Sequence, residues 1–457
     1  MMKNIVLKIL LILVIGFPTV AVAQIGTHNL IRAEEFRKQS DWDNAIVYYT
    51  KSIEADEANG DVFLTAISYG HRAQAYFNKE NFDQTILDCN KALEFKVDIG
   101  WVYHLRGSSL SRKSRTDEAL ADFTHAIQLN PTFPESYTSR GSVYSRKGSS
   151  ELAIADYGRA IELEPANTSG YILRGTEFRK KGYLNESIMD FDIAVKLDPK
   201  LVDAYIGRGL TNSHKRDYDM AITDFNKALE LNPNSFDAYF FRGNTNVDKG
   251  NYDNAISDYG EVIRLKPDHQ FAYANRGDIY VKKGEYRRAI EDYNKKIVLE
   301  PKNINVRYAR AWANLYSNDG MAAYVDSSRY LELSGLQTEN AGYAVLVGYL
   351  GLRKTNKVAE SKTFLVTPIK RIEGDEWVKN IIGFVKGNLT ADQLLDLAID
   401  NDKLTEAHAY IGEIQLLGGD DIGARSHFNW VKSTGNKSFS EYILAIAELN
   451  RLADKKR

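Results

Sequence analysis

Residues 202–235 read VDAYIGRGLTNSHKRDYDMAITDFNKALELNPNS. Tyr205 and Gly209 are four apart, so on a helix they share one face, and the glycine lets a second helix approach closely. Ala221, Phe225 and Ala228 stand at i, i+4 and i+7 and form a small, aromatic, small stripe on a second helix. Pro233 closes the segment. The stretch therefore predicts a helical hairpin.

The same pattern recurs every 34 residues. Pro131, Pro165, Pro199, Pro233, Pro267 and Pro301 lie on one arithmetic series, which takes six of the nine prolines in the chain. Tyr69, Tyr103, Tyr137, Tyr171, Tyr205, Tyr239 and Tyr273 keep step with them, as do Gly107, Gly141, Gly175, Gly209, Gly243 and Gly277. A small residue follows at Ala119, Ala153, Ser187, Ala221, Ala255 and Ala289, and four further on an aromatic at Phe123, Tyr157, Phe191, Phe225, Tyr259 and Tyr293. Gly148, Gly182, Gly250 and Gly284 fall between the two helices, where the end of the first needs a left-handed residue.

This pattern resembles the tetratricopeptide repeat. The resemblance implies an all-α, right-handed superhelical solenoid of antiparallel helix hairpins, about 12 units long, closed by a C-terminal capping helix. Six units fit closely between residues 100 and 303, and two precede them at 66–99 and near 26–59. The roughly six additional residues between those two, around Gly60 to Thr65, predict a longer loop or an extended helix. The expected organisation is a leader at 1–23, an eight-unit array at 24–303, degenerate hairpins at 304–404, and a final repeat with a polar capping helix at 405–457. Within the degenerate region one hairpin is expected from about 341 to 373 and another from Trp377.

Met1 to Ala23 combines Lys3 and Lys8, a short apolar run and Ala21, Val22, Ala23 in the small-x-small order that precedes cleavage. It reads as a secretory signal, with retention as an uncleaved anchor as the alternative. The expected location is exported, periplasmic or secreted, with no transmembrane segment after cleavage. The 457 residues carry 59 Lys+Arg against 61 Asp+Glu, so nothing points to nucleic acid, and loss of the leader leaves 57 against 61. A single cysteine, Cys89, excludes an intramolecular disulfide and occupies an apolar repeat position.

An arginine ladder occupies the position just before the glycine or alanine of each unit: Arg32, Arg72, Arg106, Arg140, Arg174, Arg208, Arg242, Arg276 and Arg310. Sixteen residues later comes an aspartate, from Asp88 and Asp122 through Asp156, Asp190, Asp224, Asp258 and Asp292 to Asp326. The joint period favours arginine–aspartate pairing between packed helices over an anion-binding stripe. The eight histidines include no pair four apart, and neither a nucleophile elbow nor a phosphate loop occurs. No enzyme activity, cofactor or metal site is expected.

By the resemblance, the first helices line a groove through the second, fifth, ninth, twelfth and thirteenth offsets. These give an apolar series, Ile172, Ile206, Leu210, Phe240, Val247, Phe271 and Val281, with Arg146 and Lys180 among the basic residues of the thirteenth offset. Positive charge in the last turn of a helix also complements its dipole, which accounts for that basic series without a ligand. The expected function is a non-enzymatic scaffold of the cell envelope that holds peptides or helices of envelope or secreted proteins in its groove, similar in plan to envelope tetratricopeptide lipoproteins. The alternative is a solenoid that binds a glycan or peptidoglycan fragment.

Overall fold

The computed structural model describes residues 19–95, 99–369 and 376–455. Residues 1–18 of the expected leader, and the end of the hairpin expected over 341–373, lie outside these. The described residues form 25 helices and no strand, and the chain divides into two compact units, 1–231 and 232–457.

The N-terminal unit contains six hairpins: α1 (Thr19–Lys38) with α2 (Trp42–Asn59), α3 (Val62–Asn78) with α4 (Phe82–Glu94), α5 (Gly100–Arg112) with α6 (Thr116–Leu129), α7 (Pro134–Arg146) with α8 (Ser150–Leu163), α9 (Thr168–Lys180) with α10 (Leu184–Leu197), and α11 (Val202–His214) with α12 (Tyr218–Leu231). The extra residues near Gly60 lengthen both α2 and α3. The two helices meet at Gly60, left-handed at φ 69°, and at Asp61, which caps Leu64 N.

Each hairpin turns at one left-handed residue. Gly148 and Gly182 supply it where glycine is present, while Ser40, Glu80, Ser114 and Arg216 adopt the same positive φ at the equivalent position. The ladder glycine serves a different need. A Cβ at Gly141 would lie 2.8 Å from the Tyr157 ring, and one at Gly209 would lie 2.9 Å from Phe225. These aromatics, with Phe123 and Phe191, are almost fully buried.

The tyrosine and proline ladders are one device. Tyr137 donates to Pro131 O at 3.2 Å, Tyr171 to Pro165 O at 3.2 Å and Tyr205 to Pro199 O at 3.3 Å, so each phenol ties down the loop that enters its own hairpin. The ring also lies under the arginine of its repeat, with Arg208 5.6 Å from the Tyr205 centroid.

The arginine ladder is paired. Arg72 with Asp88, Arg106 with Asp122, Arg140 with Asp156, Arg174 with Asp190 and Arg208 with Asp224 join first and second helices. Most guanidiniums also reach back to the preceding second helix: Arg72 Nη1 donates to Thr50 at 2.9 Å, Arg106 to Asn90 at 2.7 Å and Arg208 to Asp192 at 2.6 Å. One planar fork thus holds its own hairpin and the preceding one. Arg32 is the exception, exposed and ion-paired with Glu35 on its own helix.

The C-terminal unit begins with regular hairpins: α13 (Phe236–Lys249) with α14 (Tyr252–Leu265), α15 (Gln270–Lys282) with α16 (Tyr286–Leu299), and α17 (Ile304–Tyr316) with α18 (Gly320–Ser334). Arg242–Asp258, Arg276–Asp292 and Arg310–Asp326 continue the pairing. At 307 arginine replaces the ladder tyrosine, and its guanidinium takes the same carbonyl, Pro301 O, at 3.0 Å.

The chain then continues through α19 (Ala341–Lys354), α20 (Val358–Ile369), α21 (Glu376–Val385), α22 (Ala391–Leu397), α23 (Asn401–Leu417), α24 (Asp421–Thr434) and α25 (Ser440–Asp454). These helices close around a large apolar cluster that includes Trp312, Tyr316, Leu346, Leu350, Trp377, Ile381, Tyr410, Ile411 and Leu444. The capping helix departs from expectation here. Besides covering α24 through Ala445 and Leu452, α25 packs back on α17: Tyr316 donates to Ser440 O at 3.0 Å and Arg451 to Tyr316 O at 2.6 Å. Apolar residues on two faces of α25, Leu444 and Ala447 on one and Ala445 and Leu452 on the other, give it two partners.

Candidate partner-binding face

Within the N-terminal unit, successive first helices touch one another, α3 on α5, α5 on α7, α7 on α9 and α9 on α11, while the second helices make no comparable contact. The first helices therefore line the inner side. Ile172, Ile206 and Leu210 lie on them and are all half-buried. Ile172 packs against the cluster of Ile161, Tyr171, Ala194 and Ala204, so part of its surface serves hairpin stacking.

Arg146 and Lys180 end α7 and α9 and are exposed. Serine hydroxyls of the preceding repeat hold both: Arg146 donates to Ser111, and Lys180 to Ser145 at 3.0 Å. Lys180 also pairs with Glu177 at 2.6 Å, and Ser145 donates to the same carboxylate at 2.5 Å. Burial raises the Glu177 pKa, but these two donors outweigh it and leave the group below its ordinary value. Arg179, the residue before Lys180, has its pKa lowered by burial, with Glu177 only partly compensating. The following lysine ladder is already committed: Lys113 with Asp83, Lys147 with Asp117 and Lys181 with Glu151 bridge adjacent repeats on the surface.

In the C-terminal unit the apolar candidates have distinct surroundings. Phe240 and Val247 are half-buried against the cluster of Tyr259, Val262 and Ile279. Val281 is half-buried and packs against the C-terminal cluster that includes Tyr316. Phe271 alone is open, with 56% of its surface exposed. His269 stands between the two phenylalanines, its ring 4.8 Å from Phe240 and 6.2 Å from Phe271. Lys266 lies over Phe236 and Lys296 over Phe271, each at 4.9 Å, so the aromatic patch is flanked by two cations. His269 and these lysines were not among the expected groove residues, because His269 precedes the helix as its cap and Lys296 comes from the second helix.

Two arrangements escape any reading by short spacing. His408 and His427, nineteen apart, are brought together by the last hairpin with their Nδ1 atoms 2.7 Å apart, and Trp430 stacks on His408 at 4.1 Å. Burial lowers both pKa values, His408 to about 4 with a further contribution from His427, so each ring is neutral at pH 7. Among the described residues, no group of three or more His, Cys, Asp or Glu is arranged to hold a metal. The second arrangement is a set of four buried carboxylates, Glu406, Glu413, Glu441 and Glu448, in the C-terminal bundle. Lys354 reaches Glu413 at 2.9 Å and Glu448 at 2.5 Å, while Tyr410 donates to Glu441 at 3.0 Å. Both assemblies tie helices of the C-terminal unit together.

No described helix is long and apolar enough to cross a membrane. Family models for the tetratricopeptide repeat match residues 102–133, 134–167 and 202–235, and a TPR repeat model matches 243–284 and 277–315. Comparison with curated proteins gives no match. Among solved structures, a tetratricopeptide repeat protein from Parabacteroides merdae is 20% identical over 51% of this chain and 93% of its own, with a TM-score of 0.45. The C-terminal part of a TPR repeat-containing protein from Cytophaga hutchinsonii is 20% identical over 52% of this chain and 97% of its own, with a TM-score of 0.42. YrrB, described as a TPR protein with an unusual peptide-binding site, is 24% identical over 40% of this chain and 95% of its own, with a TM-score of 0.34. The repeat ladders, the paired hairpins and the family matches agree that this chain carries an array of tetratricopeptide repeats.

Proposed function

We propose that the protein is an exported, non-enzymatic scaffold that holds a peptide or helix of an envelope or secreted partner on its first-helix face. The observation that carries this reading is the patch of Phe240, His269 and Phe271, where an exposed phenylalanine extends a half-buried aromatic cluster between two lysines. A large exposed ring has no role in hairpin stacking, and aromatic anchors are where binding energy concentrates at interfaces. The hairpin scaffold supports the reading because the interactions repeated in each unit lie elsewhere, in the arginine–aspartate pairs and the proline–tyrosine ties, leaving the inner surface free to be specific. The leader at 1–23, with its Ala-Val-Ala end, supports export.

The test is partner recovery from envelope extract with the parent chain and with a Phe240→Ala, Phe271→Ala variant of unchanged melting temperature. Loss of a specific protein from the variant supports the assignment. Full recovery of every partner overturns it. A glycan panel probed with the same two chains addresses the carbohydrate alternative, which requires a glycan signal that the double variant loses.

A further inference from the structure

The basic residues that end the first helices follow one rule and break it once. In the N-terminal unit each donates to a serine of the preceding repeat, Arg146 of α7 to Ser111 of α5 and Lys180 of α9 to Ser145 of α7. Ser111 and Ser145 stand 34 residues apart, and the next member of their series is Arg179. The next member of the basic series, 34 residues after Lys180, is His214 at the end of α11. A rung that elsewhere joins a cation to a hydroxyl oxygen therefore holds a guanidinium and an imidazole, with no acceptor for the first.

Arg179 is half-buried in the last turn of α9. Ile172, seven residues earlier on the same stripe of that helix, belongs to the cluster that reaches Ala204 of α11, so Arg179 lies on the side of α9 that meets α11. Its Nε is buried without a hydrogen-bond partner, and among the described residues no carboxylate pairs with the guanidinium. Glu177, two residues before it, is held toward α7 by Ser145 and also takes Lys180. The charge of Arg179 is felt at His214: burial lowers the pKa of that ring and Arg179 lowers it further, so the imidazole is neutral at pH 7. The dipole of α9 favours a cation in its last turn, but it does not offset the desolvation of a guanidinium that has no acceptor.

We propose that Arg179 and His214 frame an anion site on the first-helix face, filled by a side-chain carboxylate of the docked partner segment. A guanidinium fork matches a carboxylate with two parallel hydrogen bonds, and an imidazole N–H supplies a third. The inference rests on the docking reading above and names what the segment carries. Lys180 offers a second cation one rung back, and neighbouring helices lie ~8–10 Å apart, about three residues of extended chain at ~3.3 Å each. The segment therefore carries acidic residues about three apart.

The test is selection of a phage-displayed library of random dodecapeptides on the full chain, on Arg179→Gln, and on Arg159→Gln, which removes an exposed pair with Glu162 on α8. The parent and Arg159→Gln are expected to enrich peptides with spaced Asp or Glu, and Arg179→Gln to lose that enrichment while keeping the parent's melting temperature. In fluorescence anisotropy a selected peptide binds Arg179→Gln on the order of tenfold more weakly, the effect of one charge-assisted hydrogen bond. Selected peptides without acidic residues, or acidic ones that Arg179→Gln binds equally well, overturn the anion site and leave docking on this face standing. Recovery of no peptide at all overturns both. Saturable binding of inorganic phosphate without selection of acidic peptides assigns the site to a free anion, and a melting temperature several degrees lower in Arg179→Gln assigns Arg179 to the scaffold; either overturns the proposal.

Discussion

Removing Arg208 exposes the energetics of the whole array. Its guanidinium reaches Asp224 at 2.6 Å and Asp192 at 2.6 Å, and the Asp224 side chain is only 3% exposed. In Arg208→Ala the Asp224 carboxylate keeps one donor, Asn212 at 3.2 Å, and loses its charge partner. Breaking a buried pair by deleting one member costs about 3–5 kcal/mol, mostly the penalty of the stranded charge. For a cooperative unit of this size that amounts to a melting temperature lower by on the order of 10 °C. Replacing both members with apolar residues of similar volume, Arg208→Met with Asp224→Leu, recovers most of the loss, because no charge then remains buried. Arg32→Ala is the internal control, since Arg32 is exposed and pairs with Glu35 on its own helix, so its loss leaves the unfolding curve nearly unchanged. Urea unfolding followed by circular dichroism at several temperatures reads all four proteins. An Arg208→Ala chain that unfolds with the parent, or a double variant no better than the single one, refutes the pairing argument.

A Gly412→Ala chain forces a methyl to within 2.5 Å of the Phe428 ring and loses about 1–3 kcal/mol by overpacking, measurable in the same urea titration. Gly182, at φ 80°, has open space around it, so Gly182→Ala costs about 1 kcal/mol from backbone strain alone and leaves the packing intact, as near-ultraviolet circular dichroism checks. Cys89 is fully buried and its thiol is pushed well above the usual range, so iodoacetamide at pH 8 leaves it unmodified in the native protein and labels it in urea. Burial pushes Glu413 and Glu441 up to about 7 from an ordinary 4.5. The unfolded chain releases these protons first, so stability falls as pH rises from about 4.5 to 7, by on the order of 3 kcal/mol per group. Glu413→Gln and Glu441→Gln each flatten that slope in a melting-temperature profile against pH.

The regular hairpins were legible because each rung of the repeat does one physical job that only a few residue types perform. Gly141 is needed where the Tyr157 ring comes close, and Tyr205 where a phenol must reach Pro199 O. The arginine–aspartate pairing was legible for the same reason, since two ladders of opposite charge at one period must meet. The αL turn was visible at Gly182 and invisible at Arg216, because a left-handed residue of ordinary type leaves no mark in the sequence. Closure of the C-terminal bundle was hidden for a different reason. It depends on contacts such as Tyr316 with Ser440, more than a hundred residues apart, where no period links the partners. The candidate face was only partly legible. Offsets identified Phe240 and Phe271 but not whether a side chain faces solvent or a neighbouring helix, so Val281, half-buried against the C-terminal cluster, shared a class with the open Phe271.

The central claim is that partners dock on the first-helix face, and a photocrosslinking residue tests it most directly. A benzoylphenylalanine replaces Phe271 in one chain and Met189, 63% exposed on the second helix of its hairpin, in another. On irradiation in envelope extract, the account predicts a discrete crosslinked partner from position 271 and none from 189. Crosslinks of equal yield from both positions, or from 189 alone, contradict it.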